Sequence, residues 1–267
     1  MKFAYLVMGP AGTGKSTFCH TLQDHALTSG RAIRVVNLDP AAEAFKYSVT
    51  SDIRTLVSVD DVTEALGLGP NGGLLYCMQY LADNLDWLEG ELEAFAEDDF
   101  VLFDCPGQIE LYSHDAAPMR RTVETLVSAG FRVGGTYLID AFTVTDAAKL
   151  LSACLASLSA MMALELPHIN VLTKCDLVEG KALEKFLEPD ADAVIDSLHS
   201  ATGPRFKALN RAFGEVLRDY SMVSFVPLNI RDEDSVGLVL AHLDNAVQYG
   251  EDMEPKEIAD YEDNDDG

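Results

Sequence analysis

Phe3-Ala4-Tyr5-Leu6-Val7-Met8 runs without a break into Gly9-Pro10-Ala11-Gly12-Thr13-Gly14-Lys15-Ser16, with Thr17 next. An unbroken apolar run of this length reads as a strand buried on both faces, as in a parallel sheet. The segment behind it fits G-x-x-x-x-G-K-[ST] at every position. Backbone N–H groups can meet dense negative charge only where side chains stay out of the way. Gly9, Gly12 and Gly14 allow that approach, and a helix opening at Lys15 presents its positive end. Lys15 is then placed to reach β- and γ-phosphates, the Ser16 hydroxyl to ligate Mg²⁺, and Thr17 to hold an α-phosphate. Gly12, Thr13 and Gly14 supply the cradle. A glycine turn before a helix would explain the glycines alone, but not the full pattern directly behind a strand.

Outward from this unit, further apolar runs recur at Ala32–Asn37, Phe100–Phe103, Gly135–Ile139, His168–Leu172 and Ser224–Pro227. The spacers between them are long enough for helices. The expected class is α/β: a phosphate-loop nucleotide-binding fold with a mostly parallel central sheet flanked by helices. In such sheets ligands bind just beyond the carboxyl ends of strands, and the remaining motifs fall there. Asp39, in Asp39-Pro40-Ala41, can orient an attacking water or hold Mg²⁺ through water, although Asp-Pro also opens ordinary turns. Asp104 ends the next run and stands as a Mg²⁺-binding acid. In Pro106-Gly107-Gln108, Gly107 offers an amide to a γ-phosphate, and Gln108 competes with Asp39 to position water.

Thr173-Lys174-Cys175-Asp176 reads as the base end. Guanine presents two adjacent donors that one carboxylate accepts together, so Asp176 selects guanine, whereas adenine would leave the acid unpaired. The stem of Lys174 can lie over the ring. Thr173 stands where asparagine is commoner. Pro227-Leu228-Asn229, after the last run, is placed to close over the base. GTP or GDP with Mg²⁺ is the expected ligand set.

The chain has 267 residues, 48% of them hydrophobic, with 19 basic and 44 acidic residues for a net charge of −25. So acidic a surface argues against direct nucleic-acid binding and against anionic membranes. The five cysteines form no C-x-x-C pair, which fits free thiols in a reducing compartment. The apolar stretch Leu150–Leu164 is interrupted by serines and reads as too short to span a bilayer. A soluble, cytoplasmic protein is expected.

Between about Ala42 and Asp99 no strand is evident. This insertion carries Asp52-Ile53-Arg54, a glycine loop at Gly67–Gly73 and a helical stretch from Leu74 to Phe95. A second variable segment, Val178–Gly203, reads as helix with loops. Residues 1–250 form the expected domain. Glu251–Gly267 holds nine acids and one lysine and is expected to be a disordered tail. Trp87 and Met161-Met162 read as packing residues.

With these residues in hand, the chain resembles the GPN-loop GTPases over about residues 1–250. The likeness is carried by Asn37-Leu38-Asp39-Pro40-Ala41-Ala42-Glu43, Asp52-Ile53-Arg54, Gly69-Pro70-Asn71-Gly72-Gly73 and Asp104-Cys105-Pro106-Gly107-Gln108-Ile109-Glu110-Leu111. Leu158–Met162 and Gln248–Asp252 look most like the third eukaryotic paralogue. The resemblance implies a signal-recognition/MinD-type fold and a dimer with facing active sites. The partner would be the first paralogue or a second copy of the chain. It further implies that Asn71 contacts the γ-phosphate across the interface. A tight Pro-Asn-Gly-Gly turn is the plainer reading of the same residues. Many MinD-type ATPases carry a second lysine early in the phosphate loop; Pro10 and Ala11 stand there here. The family biology implies support for RNA polymerase II assembly and nuclear import, with passage between cytoplasm and nucleus. A GTP-binding scaffold with little hydrolysis is the alternative. A small-molecule kinase and a metallochaperone fit the motifs less well.

Overall fold

The computed structural model describes residues 1–178, 191–219 and 224–251. Its strands are β1 (Lys2–Met8), β2 (Ile33–Asn37), β3 (Val49–Asp52), β4 (Phe100–Asp104), β5 (Phe131–Asp140), β6 (His168–Thr173) and β7 (Phe225–Pro227). They form one seven-stranded sheet in the order β3-β2-β4-β1-β5-β6-β7. Each neighbouring pair is parallel. The helices are α1 (Lys15–Thr28), α2 (Val59–Leu66), α3 (Pro70–Asp83), α4 (Leu85–Leu92), α5 (Ala117–Ser128), α6 (Ala147–Leu164), α7 (Ala191–Ala201), α8 (Lys207–Asp219) and α9 (Glu233–Ala246). The expected α/β architecture is present, and the sheet is parallel throughout.

The alternation of β1 explains the layering. Ala4, Leu6 and Met8 face a core built from α3 to α6, with Leu74, Leu88, Met119 and Leu158 among its members. Phe3, Tyr5 and Val7 face a second core closed by α1 and α9 through Phe18, Leu22, Val239 and Leu243. Each large side chain so buried contributes about 1.5–3 kcal/mol. Trp87 and Met161 pack against the first core, as expected, while Met162 is exposed.

Three expectations need correction. The insertion does contain a strand: β3 pairs with β2 at the sheet edge. Its sequence, Val-Thr-Ser-Asp, has two exposed residues at its start, so it lacks the apolar run that marks a strand covered on both faces. The helical stretch Leu74–Phe95 is two helices that meet at Asn84. The first of them begins at Pro70, because a proline at the first helical position loses no hydrogen bond there. Finally, Leu150–Leu164 belongs to the 18-residue α6, which by length and composition could cross a bilayer. Here it buries Leu150, Leu151, Cys154, Leu158 and Leu164 in the domain. Of the variable segment, α7 is helical as expected and 179–190 lie outside the described residues, as does the tail from 252 onward.

The register aligns the chemistry. Asn37 lies opposite both Asp52 and Asp104, Asp104 lies opposite Val7, and Asp140 lies opposite Thr173. The motif-bearing carboxyl ends of the strands therefore form one rim.

Candidate nucleotide-binding site

At the end of β1 the chain turns sharply through Gly9, at φ +137°. A Cβ there would stand 2.4 Å from the Leu138 carbonyl oxygen, so no other residue fits. Gly14, also left-handed at φ 92°, caps α1. Lys15 is buried, and its Nζ donates to the carbonyls of Gly9 (3.1 Å) and Pro10 (3.2 Å). Burial pulls its pKa below the ordinary lysine value, opposed by Asp104 and Asp39. Gly107 packs so closely that a Cβ would lie 2.9 Å from Ala11 Cα, which ties the loop after β4 to the phosphate loop.

A cleft of about 530 Å³ is lined by Gly12, Gly14, Lys15, Ser16, Thr17, Asp39, Gly107, Gln108 and Lys174, with Leu74 and two alanines. A smaller pocket of about 90 Å³ follows, lined by Thr13, Gly14, Thr17, Phe18, Thr173, Lys174, Asp176, Leu228 and Ile230. The two share Gly14, Thr17 and Lys174, so the phosphate and base ends that the sequence separates by some hundred and sixty positions are one continuous site.

At the base end the Thr173 hydroxyl lies 2.7 Å from the Thr13 carbonyl and 3.1 Å from that of Ile139. It straps the end of β6 to the phosphate loop. Lys174 takes a left-handed backbone at φ 60°, and its ammonium pairs with Asp140 at the end of β5. The Asp176 side chain is only 9% exposed and faces Arg231 Nε at 3.3 Å. Of the expected Pro227-Leu228-Asn229 only Leu228 lines this pocket, joined by Ile230 from the same loop after β7. Asp140 and Arg231 had no motif to announce them.

At the phosphate end Asn37 accepts from the Asp39 amide and donates to Asp52 (2.8 Å), while Asp39 Oδ1 accepts from Ala41 N (2.9 Å). Burial raises the Asp39 carboxyl above its ordinary value, opposed by Ala41 N–H and Lys15. Burial raises Asp104 too, opposed by the Ser16 and Tyr47 hydroxyls and by Lys15. Asp104 Oδ2 accepts from the Tyr47 hydroxyl at 2.9 Å. Its Oδ1 is buried without a hydrogen-bond partner, and so is Gln108 Oε1. Such unmatched acceptors ask for a ligand. One hydroxyl, one or two carboxylates and an adjacent phosphate groove form the donor set Mg²⁺ prefers, so Ser16, Asp104 and Asp39 fit that ion. Among the described residues no group of three or more His, Cys, Asp or Glu is placed to hold a metal ion by itself, so the fit to Mg²⁺ includes the Ser16 hydroxyl and phosphate oxygens, and all five cysteines are free.

A family model described as "Conserved hypothetical ATP binding protein" matches residues 7–249. Proteins named GPN-loop GTPase 3 match over nearly the whole chain. The one from Mycosarcoma maydis is 50% identical, covering 99% of this chain and 98% of its own. That from Xenopus tropicalis is 51% identical, covering 96% and 91%. The chain belongs to the GPN-loop GTPase family. An apo-form GTPase structure from Pyrococcus abyssi superposes with a TM-score of 0.74 at 20% identity, covering 92% of this chain and 97% of that one; at that identity it supports the fold alone. The family model's description names ATP, while the relatives are named GTPases, and the small pocket is lined by an acid, Asp176, of the kind that accepts the paired donors of guanine.

The tripeptide that names this GPN-loop family lies at the start of α3. Gly69 is the N-cap, and Pro70 and Asn71 are the first helical residues, so the Pro-Asn-Gly-Gly turn is replaced by a helix start. Asn71 is exposed. Its own cleft is reached by Leu74, one turn further on, and not by Asn71.

Proposed function

We propose that this GTPase hydrolyses GTP in a dimer, with Mg²⁺, and works as an assembly switch. The carrying observation is the continuous cleft whose buried acceptors, Asp104 Oδ1 and Gln108 Oε1, lack partners. Lys15 and the amides of Gly12 to Thr17 bind the phosphates, and Asp176 reads guanine. Mg²⁺, held by Ser16 and Asp104 with Asp39 through water, would neutralise charge on the phosphate oxygens. Asp39 and Gln108 are the two candidates to orient the attacking water. Phosphoryl transfer needs positioning and charge stabilisation above all. A neutral amide donor, Asn71, supplied by a neighbouring subunit would add to both. Support for action in trans is its exposure, away from its own cleft.

The partner is the first paralogue of the family or a second copy of this chain. Assembly and nuclear import of RNA polymerase II are the proposed biology, in a cytoplasmic protein that passes to the nucleus. That reading rests on resemblance to the third paralogue. Single-turnover GTP hydrolysis, alone and with the first paralogue, together with the complex mass in a GTP analogue, tests it. A dimer with accelerated turnover is expected. A dimer that binds GTP and does not hydrolyse it would make the chain a scaffold.

A further inference from the structure

We infer that Tyr47 is a positioning residue of the metal site: its hydroxyl holds one oxygen of Asp104 so that the other is presented to the ion. The inference rests on the magnesium reading above. Tyr47 is 5% exposed, and its hydroxyl donates to Asp104 Oδ2 within the buried floor of the site. A carboxylate is soft about its last torsion. A donor fixed on one oxygen removes that freedom and leaves Oδ1, the unmatched atom, in a single orientation.

The donor is itself held. The next residue, Ser48, donates its amide to Gln23 Oε1 at 2.7 Å, and its carbonyl accepts from Gln23 Nε2 at 3.1 Å. Gln23 belongs to α1, the helix that carries Ser16. The Tyr47 ring stacks on Phe45 at 4.9 Å, and the Arg54 guanidinium lies 4.7 Å from Phe45 on its ring face. Arg54 also donates to the Ala42 carbonyl at 2.8 Å and chelates Asp52. Burial alone would raise Asp52, but Arg54 and Asn37 outweigh it and hold the carboxyl low. Asp52-Ile53-Arg54 thus acquires a role: it clamps the loop that runs from Asp39 to Tyr47. One clamped loop delivers an acid at its start and a phenol at its end to the same metal site.

The test counts Mn²⁺ bound to the GDP complex by electron paramagnetic resonance, for Tyr47→Phe, Asp104→Asn and the double variant. GDP affinity and melting temperature are measured in parallel in EDTA. Tyr47→Phe keeps the ring and its stacking. It should weaken Mn²⁺ binding about tenfold, as for one hydrogen bond to a charged group, with metal-free GDP affinity unchanged and melting lowered only modestly, because buried Asp104 Oδ2 loses its partner. The double variant should bind Mn²⁺ no more weakly than Asp104→Asn. Wild-type Mn²⁺ affinity in Tyr47→Phe, against a clear loss in Asp104→Asn, overturns this inference alone. So does a loss of GDP affinity equal with and without metal, or full additivity in the double variant. Wild-type Mn²⁺ affinity in Asp104→Asn overturns the magnesium reading and this inference with it.

Discussion

Two helices of equal length, 14 residues each, open on glycine: α1 at Gly14 and α3 at Gly69. Their environments are opposite. The turn before α1 is fixed by the fold, with Gly9 and Gly14 at positive φ and Lys15 buried. At α3 the N-cap is extended, at φ −71°, a Cβ on Gly69 would meet nothing within 4 Å, and Pro70, Asn71 and Gly72 face solvent. Sterics within the chain dictate the first motif. Among the described residues nothing packs against Gly69, Pro70 or Asn71, and the proposed contact with another subunit draws on that.

The largest expected effect tests that contrast directly. Gly9→Ala places a Cβ against backbone at a positive φ and should cost about 3 kcal/mol or more. Gly69→Ala replaces a favoured N-cap by a poor one and should cost only about 0.5–1 kcal/mol. Urea unfolding midpoints compare the two. Similar losses in both variants would mean that the α3 turn is as constrained as the phosphate loop.

Asn71→Ala comes next. An interaction made mainly in the transition state lowers turnover and spares affinity. Loss of one preorganised donor suggests about a 10²-fold slower single turnover with GTP affinity unchanged. Mixing Asn71→Ala subunits with Lys15→Ala subunits pairs an intact cleft with an intact loop and should restore part of the activity if the chain self-associates. With obligate pairing to the paralogue, the same mixing is done across the two chains. A dimer that forms and shows no recovery would place Asn71 in its own site or leave it a helix start.

The same contrast decides what was legible in the sequence. Phe3–Met8 and Gly9–Ser16 could be read because a strand buried on both faces and a phosphate cradle each force residue types at fixed spacing. Asp104 and Thr173–Asp176 were legible as motifs because they sit at strand ends, where this fold gathers ligands. β3 was not, since an edge strand needs no apolar run. The start of α3 was missed because Pro-Asn-Gly-Gly is turn chemistry that a helix N-terminus also tolerates. Tyr47, Asp140 and Arg231 were missed for another reason. Each meets a partner distant in sequence, 57 residues away for Tyr47, and no local pattern encodes that. Sheet order is equally non-local: β4, fourth in the chain, separates β2 from β1.

Asp176→Asn probes the far end of the fixed cleft. Replacing one acceptor by a donor should weaken GTP binding about tenfold and relax discrimination against xanthine nucleotides. Arg231 is 73% exposed, so its pairing with the acid is screened and should matter little by comparison. Calorimetry with GTP and XTP measures both. Unchanged GTP affinity would remove Asp176 from base recognition.

The smallest expected effect concerns the energetic cost of the fixed site when empty. Burial raises the carboxyls of Asp104 and Asp39. A carboxyl whose folded pKa is raised contributes stability that is full below the unfolded value, 3.8, and is lost as pH rises through the folded value. Ionising Asp104 in the nucleotide-free protein therefore costs stability, a cost that the Ser16 and Tyr47 hydroxyls and Lys15 oppose. Asp104→Asn removes that charge and keeps an acceptor for Tyr47. It should stabilise the empty protein by about 1 kcal/mol, the scale of a relieved functional site. The gain should grow as pH rises from the unfolded value of 3.8 upward, because above it the unfolded chain loses the proton before the folded wild-type carboxyl does. Asn71→Ala, exposed on α3, should leave the same melting curves unmoved. Thermal melts of both variants without nucleotide across that range decide it. A pH-independent gap for Asp104→Asn, or a destabilised one, would show that Lys15 and its neighbours already compensate the acid, and that the phosphate end is no more strained than the helix start at Asn71.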